Sequence, residues 1–383
     1  MNAKLDFLDA LRGYAILGVV LTHSTQKIEN LPIWVDNFGV QGARGVQLFF
    51  LVSAFTLFYS LYKKYNTHQL EVGDFFVKRF FRIAPMFYAA LIFYAVVDFA
   101  FYKVGLIDTP QVYSVGLIFS TLTFTSLLNP DWLFSLVPGG WSISAEMIFY
   151  LLVPLLFLFI RNLRSALILF FASILIFLLS TFLVVELEFW GGRNELVDKF
   201  LFYWFPSQLP IFSLGIVLFF ILKEKIINGN LNNSSTAFSH FLIVGSILMI
   251  VILGITRDFD SIYFQKHFLF GIAFLLLAYG LGTIQKHFLV NKIISFIGQV
   301  SFSMYLIHFF VLDVVIKILR MTISVYVSNF IFLMLLFLIT LIISTLASYL
   351  AHKLIESPGI MLGRKVSVKL KSKKKLKAAR VIE

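Results

Sequence analysis

Long apolar stretches, separated by short polar breaks, run along almost the whole chain. Most of them reach the roughly 20 residues that an α-helix needs to cross about 30 Å of hydrocarbon. The first stretch begins after Lys4 and contains two polar residues, Arg12 and His23. Ten more follow, at 40–62, 84–103, 112–128, 140–160, 165–187, 200–222, 237–256, 267–285, 293–318 and 324–352. This pattern predicts an all-α polytopic membrane protein.

The positive charges between these stretches predict how the chain crosses the bilayer. Lys and Arg crowd the 63–83 segment and the tail 361–383, as is typical of cytoplasmic segments. Eleven crossings would place the tail outside, so one stretch must fail to cross. The best candidate is 112–128, which is short and rich in Ser and Thr. We therefore expect about ten transmembrane helices, a re-entrant or bundle-packed segment at 112–128, and both termini on the cytoplasmic side of the membrane.

The composition supports a membrane protein and narrows its partners. Of 383 residues, 59% are hydrophobic and 14% are charged, whereas soluble domains have about 45–50% apolar and about 25% charged residues. A soluble enzyme, a coiled coil and a disordered chain are therefore excluded. The net charge of +12 is concentrated in 361–383, which we interpret as a basic cytoplasmic tail near anionic lipid headgroups, with no nucleic-acid surface. Residues 1–360 then form one integral-membrane domain, and the absence of cysteine excludes disulfides and thiolate chemistry.

Two polar residues in the first stretch are candidates for function, because charged groups in membrane helices are costly. Arg12 and His23 are eleven residues apart, which is a rise of about 16 Å and about three full turns. They therefore share one helix face, with a cation towards the inside and an imidazole towards the outside. This suits a donor held from inside and a base acting outside. The alternative is a snorkelling Arg12 and a buried, hydrogen-bonded His23.

A carboxylate in the 140–160 stretch is the next candidate. Glu146 lies six residues into this stretch, close to the predicted outer interface. The residues before it add aromatic and hydroxyl groups: Trp141, Ser142 and Ser144. Glu146 could orient His23 or accept a hydrogen bond from a hydroxyl-bearing substrate. The alternative is a structural ion pair with Arg44.

A pair of arginines lies at the inner mouth of the third stretch. Arg79 and Arg82 are spaced i, i+3, so they share a helix face. Two guanidinium groups in this position suit the phosphates of a ligand. The alternative is that they only follow the positive-inside rule and contact lipid headgroups.

Two further polar patterns are less specific. Ser301, Tyr305 and His308 fall on one face of a predicted helix, which suits either a polar pocket or interhelical packing. Asp258 and Asp260 match the metal-binding D-x-D of many glycosyltransferases. Two carboxylates at this spacing are common in loops, so the second pattern carries little weight.

Six sequence elements, taken in order, resemble those of the membrane-bound acyltransferase-3 family and cover about residues 5–360. They are Arg12 with His23, Gly45–Phe55 (G-V-x-x-F-F-x-x-S-A-F), Arg79 with Arg82 and Pro85, Trp141–Glu146 (W-S-x-S-x-E), Ser301 with Tyr305 and His308, and Glu356 with Pro358. The family usually has Gly where this chain has Ala54, which leaves the type of acyl donor open. The Glu356 element resembles the one that closes the last helix of the family. Some relatives carry a further hydrolase-like domain, and we expect any such partner of this chain to be a separate protein.

The resemblance implies an O-acyltransferase. An acyl group, often acetyl, passes from cytoplasmic acyl-CoA to a hydroxyl of an envelope or exported carbohydrate, such as lipopolysaccharide O-antigen or exopolysaccharide. It also implies that His23 is the leading catalytic residue, as general base or acyl relay, with Arg12 as its essential partner. Arg79 and Arg82 would hold the phosphates of acyl-CoA, which is a co-substrate. No metal or redox cofactor is needed.

Two alternatives come from other functional classes. Ten spans with intramembrane Arg, His and Glu also describe a proton-coupled transporter of a sugar or organic acid. Such a carrier predicts pseudo-symmetric halves, and the sequence shows no internal repeat. A polyprenyl-sugar glycosyltransferase would depend only on Asp258 and Asp260. The identity of the acceptor is left open by the sequence.

Overall fold

The computed structural model describes residues 5–104, 114–134, 136–228, 236–256, 261–284, 287–323 and 326–380, with side chains up to residue 372. Regular structure in these ranges is helical, and the β-structure there is limited to one isolated bridge between Ser261 and Phe264. The prediction of an all-α protein is confirmed.

Fifteen α-helices follow one another in the described ranges. They are α1 (Asp6–Thr25), α2 (Ile33–Gln41), α3 (Gly45–Asn66), α4 (Val72–Lys103), α5 (Val115–Thr123), α6 (Gly140–Phe159), α7 (Leu163–Glu186), α8 (Glu195–Tyr203), α9 (Phe205–Asn228), α10 (Thr236–Ile255), α11 (His267–Thr283), α12 (Lys292–Gln299), α13 (Ser301–Thr322), α14 (Asn329–Ala351) and α15 (Ser357–Arg380). A five-residue π-helix, His352–Glu356, joins α14 to α15.

Eight helical segments of the described ranges are long and apolar enough to cross a bilayer. Five are the single helices α4, α6, α7, α10 and α13, and three combine neighbouring helices, at Ile33–Asn66, Glu195–Ile226 and Asn329–Ser372. Four helices of the described ranges lie outside these segments. α5, α11 and α12 are shorter, with 9, 17 and 8 residues, and α1 begins with two acidic residues and Arg12. The polytopic membrane fold is confirmed, whereas the count of ten spans and the cytoplasmic termini stay predictions.

The described part of the 112–128 segment, from residue 114 onward, contains one short α-helix. α5 has nine residues, a length of about 14 Å, and 3₁₀ turns follow it at Ser126–Leu128 and Pro130–Trp132. A helix of this length is too short to cross the hydrocarbon. Ser126 and other hydroxyls of this segment are buried in the protein, as expected for a segment packed within the bundle.

α1 lies at the centre of the bundle and packs against α3, α12 and α13. Small residues allow its close contacts. A Cβ atom at Gly298 of α12 would lie only 1.8 Å from the carbonyl oxygen of Asp9, and one at Gly45 of α3 would lie 2.1 Å from that of Ala15. These close approaches place Arg12 beside α3, and His23, further along α1, beside α13.

Two boundaries differ from those that the sequence suggested. The basic 63–83 segment is helical except at 67–71, because α3 continues to Asn66 and α4 begins at Val72. Glu356 does not close the last helix, because the π-helix leads directly into α15. α15 packs back against α4.

An ionic cluster fastens α15 to α4. Asp74 of α4 is buried and accepts hydrogen bonds from Lys64 at 3.0 Å and from the hydroxyl of Ser367 in α15. Lys78 lies 2.8 Å from the same carboxylate, and Lys371 lies 3.5 Å from Glu71. The first part of the basic tail is therefore an ordered helix on the surface of the bundle.

Candidate active site

A narrow cavity of about 120 Å³ lies between α1, α3, α4, α6 and α13. Much of its wall is polar although it lies among membrane-spanning helices. The polar residues that line it are Arg12, Ser53, Thr56, Arg79, Arg82, Ser142, Glu146, Tyr150, Ser301 and Tyr305. Its apolar wall includes Val46, Phe50 and Phe302. The cavity thus brings together residues from five of the six sequence elements.

A wider cavity of about 510 Å³ adjoins the first. The two share four lining residues: Arg12, Thr56, Arg79 and Arg82. The wider cavity adds three basic side chains, Lys78, His352 and Arg364, and one carboxylate, Asp9. One end of the combined space is therefore strongly cationic, which suits an anionic ligand.

Arg12 stands where the two cavities meet. Its guanidinium lies 3.0 Å from the carboxylate of Asp9, one turn earlier in α1, and donates a hydrogen bond of 3.1 Å to the hydroxyl of Thr56 in α3. Its side chain is only 25% exposed. Two partners on different helices hold the cation in one position, so it is not simply snorkelling to an interface.

Arg79 and Arg82 line the same two cavities from α4, but they have different partners. The guanidinium of Arg82 lies 3.1 Å from the fully buried carboxylate of Glu356, which also accepts a 2.7 Å hydrogen bond from Ser303. The guanidinium of Arg79 lies over the rings of Phe75 and Tyr150, at 5.7 and 6.0 Å from their centroids. The predicted shared face is confirmed, whereas binding of phosphate stays a prediction.

Glu146 is held by two hydroxyl groups inside the cavity. Ser53 donates to its Oε1 atom at 2.5 Å, and Tyr150 donates to the same atom at 2.6 Å. Neither partner is His23 or Arg44, so the structure does not support the two pairings considered for Glu146. His23 lies outside the set of cavity residues, and Arg44 donates to Gln41 at 3.0 Å and lies over the ring of Phe202.

Two of the sequence elements meet at one end of the cavity. Ser142 of α6 donates a 2.8 Å hydrogen bond to the hydroxyl of Tyr305 in α13, which donates to the carbonyl of Gly139 at 3.1 Å. Gly139 has a φ angle of +75°, and a Cβ atom there would lie 2.6 Å from the Tyr305 hydroxyl. Glycine is therefore needed at this position to let α13 approach the start of α6.

Trp141 and Ser144, from the same Trp141–Glu146 element, make packing and hydrogen-bond contacts outside the cavity. Ser144 forms a 2.8 Å hydrogen bond with Ser126 and does not line the cavity. Trp141 packs against the rings of Phe50 and Tyr203, with centroids 6.2 and 4.5 Å away. Both residues support the cavity wall from behind.

His23 and His308 lie together at the end of α1 that is remote from Arg12. Their ring centroids are 5.5 Å apart, and Phe309 lies 4.4 Å from His23. Nδ1 of His308 lies 3.0 Å from the carbonyl oxygen of Met304. A carbonyl oxygen only accepts hydrogen bonds, so Nδ1 carries the proton and donates. In a neutral ring, Nε2 of His308 is then an acceptor, and it has no partner among the described residues. The ring of Tyr305 lies 6.0 Å from that of His308, so Tyr305 and His308 connect the cavity to His23.

Comparison with known proteins now gives the family. The acyltransferase-3 family model, which describes an acyltransferase domain, matches residues 5–349, which is most of the chain. The chain belongs to the acyltransferase-3 family. It is therefore an acyltransferase, and the resemblance seen in the six sequence elements is confirmed.

Curated relatives share this family. The chain is 25% identical over 390 aligned residues to "O-acetyltransferase OatA" of Staphylococcus aureus strain NCTC 8325 / PS 47, and equally to that of strain COL. This match covers 97% of the chain but only 59% of the relative. A further relative, "Protein 2 in picA locus" of Rhizobium radiobacter, is 30% identical over 158 residues, which cover 38% of this chain and 78% of the relative. No solved structure matches the chain.

Several residues of this acyltransferase's cavity were not singled out from the sequence. They are Ser53, Thr56, Lys78, Tyr150, His352 and Arg364. The signal for Thr56 and Ser53 was weak, since an isolated hydroxyl in an apolar helix is usually bonded to its own backbone. Asp258 and Asp260, the possible metal pair, lie outside the described residues.

Proposed function

We propose that this acyltransferase transfers an acetyl group from cytoplasmic acetyl-CoA to a hydroxyl of an envelope or exported carbohydrate. The observation that carries the proposal is the continuous pair of cavities, which is cationic at one end and reaches Tyr305, Ser142 and Glu146 at the other. The name of the relative, O-acetyltransferase OatA, supports acetyl as the group transferred and an oxygen atom as its acceptor. Lipopolysaccharide O-antigen and exopolysaccharide are the acceptors that we favour.

The cationic cavity suits the phosphates of coenzyme A. Lys78, Arg79, Arg82 and Arg364 line it, and guanidinium groups match phosphate oxygens in charge and shape. Arg82 is oriented by the buried carboxylate of Glu356, so one of its edges is fixed before a ligand arrives. Arg79 is held over two aromatic rings, which position its guanidinium in the cavity wall.

The narrow cavity suits the thin arm that carries the thioester. Its volume of about 120 Å³ and its apolar wall of Val46, Phe50 and Phe302 would exclude bulk water from the bond that must not be hydrolysed. Arg12 stands at its entrance and can neutralise the phosphate nearest to this arm. Extension of the arm past Glu146 would bring the acetyl group towards Tyr305, on the side of His308 and His23.

The reaction assigned to His23 is a proton transfer coupled to acyl transfer. The carbohydrate oxygen bonds to the acetyl carbon, the carbon–sulfur bond breaks, and the hydroxyl proton passes to His23 and then to the coenzyme A thiolate. General base catalysis of this kind contributes about 10²–10⁴-fold. A neutral His23 is required, and the second route, in which an acetyl-imidazole on His23 carries the group, has the same requirement.

The remaining part of the proposal concerns the location and orientation of the protein in the cell. α15 presents Arg364, Lys365, Lys369 and Lys371 on a helix at the cationic end of the bundle, which supports contact with anionic lipid headgroups on the cytoplasmic side. The cationic cavity opens at this same end, where coenzyme A is available. An inner-membrane location with cytoplasmic termini is the arrangement that we propose.

The test measures transfer of a labelled acetyl group to carbohydrate in inverted membrane vesicles from a strain that expresses the protein. Coenzyme A carrying a labelled acetyl group is supplied at the exposed cytoplasmic face, and label is counted in the carbohydrate fraction. We expect transfer with the wild type and at least a 100-fold loss with His23→Ala. His240→Ala, an exposed histidine on α10, is the matched control and should transfer normally. Unchanged transfer by a well-expressed His23→Ala variant would show that both routes through His23 are wrong.

A further inference from the structure

A separate open cleft lies at the end of the bundle that holds His23. It is bounded by the C-terminal halves of α4 and α13 and by the segment before α6, and its volume is about 680 Å³. None of its lining residues belongs to either cavity of the donor path. Small-molecule sites in proteins have volumes of about 300–1,000 Å³, so the cleft is large enough for a ligand of its own.

The cleft combines aromatic rings with a small number of charged groups. The charged groups are those of Asp98, Asp313 and Lys317. The five rings are those of Tyr94, Phe101, Phe134, Phe309 and Phe310. The ring of Phe134 is 61% exposed. Apolar platforms with a few polar groups that fix orientation are typical of sites for small polar organic ligands.

The carboxylates of this cleft are available to a ligand. Asp98 has no hydrogen-bond or ion-pair partner among the described residues. Asp313 lies 2.6 Å from Lys27, but their side chains are 52% and 43% exposed, and an ion pair of this exposure is weak. Lys317 lies over the ring of Phe101, 5.1 Å from its centroid. Carboxylate oxygens accept hydrogen bonds only, so the groups that they suit are donors such as hydroxyls.

Phe309 connects the cleft to His23. Its ring lines the cleft and lies 4.4 Å from the ring of His23 and 4.1 Å from that of His308. A ligand that packs against Phe309 therefore lies one ring away from the imidazole. The donor path ends on the other side of the same pair of histidines, through Tyr305.

We propose that this cleft binds a pyranose ring of the carbohydrate acceptor. The inference deepens the proposed function and rests on it for the reaction that follows binding. The C–H face of the sugar packs on Phe134 and Phe309, and its hydroxyls donate to Asp98 and Asp313. A lipid chain would fill the apolar part of the cleft but would leave Asp98 without a donor, whereas a saccharide hydroxyl supplies one, so the saccharide is the better ligand.

Direct binding tests this assignment. The full chain is placed in lipid nanodiscs, and the probe is a set of oligosaccharides prepared from the envelope polysaccharide of the expressing strain after alkaline removal of its esters. We expect Asp98→Ala and Phe134→Ala to weaken binding of the oligosaccharides by about tenfold or more, since the first removes a charged hydrogen-bond acceptor and the second removes an apolar platform. Binding of acetyl-CoA should not change, because neither residue lines the donor path.

The controls are a carboxylate and a ring outside the cleft. Asp36→Ala on the exposed side of α2 and Phe189→Ala, whose ring is 68% exposed, should bind the oligosaccharides like the wild type. Equal binding by all four variants, absent binding by the wild type, or displacement of the oligosaccharides only by free fatty acid would overturn the assignment. If Asp98→Ala loses oligosaccharide binding while the wild type transfers no acetyl group, the cleft stands and the proposed reaction is wrong. If acetyl transfer is normal in Asp98→Ala, the reaction stands and the cleft is wrong.

Discussion

At the scale of single residues, hydroxyl groups hold the charges of the site in place. Ser53 and Tyr150 both donate to Glu146, and the hydroxyl of Thr56 accepts from Arg12. The contacts of Ser53 and Thr56 cross between helices, so they fix Glu146 and Arg12 relative to α3, whereas Tyr150 and Glu146 lie on the same helix. Hydrogen bonds with one charged partner are roughly twice as strong as neutral ones. Small polar residues are therefore expected to matter for activity as much as some of the charged ones.

Thr56→Val is a sharp test of this view. Valine keeps the shape of threonine but removes the acceptor for Arg12, which then keeps only Asp9 as a described partner. We expect kcat/KM for acetyl-CoA to fall about tenfold, since a hydrogen bond to a charged group contributes about 1.5–3 kcal/mol. The measurement is initial-rate kinetics on the purified protein, with Thr56→Ser expected to restore most of the activity.

A second threonine provides the control. Thr340 in α14 is fully buried, and its hydroxyl has no partner among the described residues. Thr340→Val should therefore leave kcat/KM unchanged, although it makes the same chemical change. Equal losses in the two variants would mean that the change acts through general packing and not through Arg12.

Prediction of the site from the sequence was limited by how its residues are brought together. Arg79 and Arg82 were predictable because both lie on one helix, three residues apart. The pairing of His23 with His308 joins residues 285 positions apart and depends on how α1 and α13 pack. Glu146 was recognised as a costly charge in a membrane helix, but its partners were not predictable, because serine and tyrosine are ordinary residues there.

At the scale of elements, α15 forms one wall of the cationic cavity. It reaches α4 through glycines, and a Cβ atom at Gly363 would lie 2.5 Å from the Cβ atom of Phe81. Gly363→Val should push α15 away from α4 and remove Arg364 from the cavity. We expect KM for acetyl-CoA to rise about tenfold for loss of a charge-assisted contact, with a smaller change in kcat. Gly245→Val is the matched helical control, because nothing lies within 4 Å of its Cβ position; equal kinetics in the two variants would contradict this role of α15.

The π-helix before α15 contains a buried charge whose removal tests stability. Glu356 has a side-chain exposure of 0% and lies 3.1 Å from Arg82. Glu356→Ala leaves that guanidinium without its counter-charge. Because the Arg82 side chain is 37% exposed and can be hydrated, we expect a loss of about 1.5–3 kcal/mol in the free energy of unfolding, as for a hydrogen bond to a charged group. The measurement is thermal unfolding in detergent. Glu195→Ala removes an exposed ion pair with Lys199 and should shift the melting temperature very little; a similar shift in both variants would mean that Arg82 does not depend on Glu356.

The elements themselves were predicted unevenly, for a physical reason. Apolar length identified the membrane helices, because burial in lipid requires it. The same criterion placed the basic 63–83 segment as a loop between membrane helices, and the family resemblance placed Glu356 at the end of the last helix; both placements were wrong. Helices rich in Lys and Arg, such as the start of α4 and much of α15, have low hydropathy although their backbone is helical. Charge pattern alone does not distinguish such a helix from a cytoplasmic loop.

At the scale of the whole molecule, the two ends of the bundle have opposite chemistry. One end has a cavity lined by four Lys and Arg side chains besides Arg12, and the other has a cleft with two carboxylates, one lysine and five aromatic rings. Between them, Arg12 and His23 stand on the same central helix, α1. A donor that is anionic and an acceptor that is rich in hydroxyls would therefore meet near α1 from opposite sides of the membrane.

This arrangement requires that the cationic end of the bundle face the cytoplasm. Because the sequence contains no cysteine, this orientation can be tested with single introduced cysteines. Single cysteines can be introduced at exposed positions near each end of the bundle, by Asp36→Cys and Asp131→Cys at the end that holds His23 and by Asn66→Cys at the cationic end. In intact cells whose outer membrane has been permeabilised, a membrane-impermeant maleimide should label the first two variants. Asn66→Cys should react only after the inner membrane is opened, because its neighbours Lys63 and Lys64 favour the cytoplasm. The cysteine-free chain is the control for background labelling. The reverse pattern would place the cationic cavity outside, where coenzyme A is absent, and the cytoplasmic donor would then be wrong.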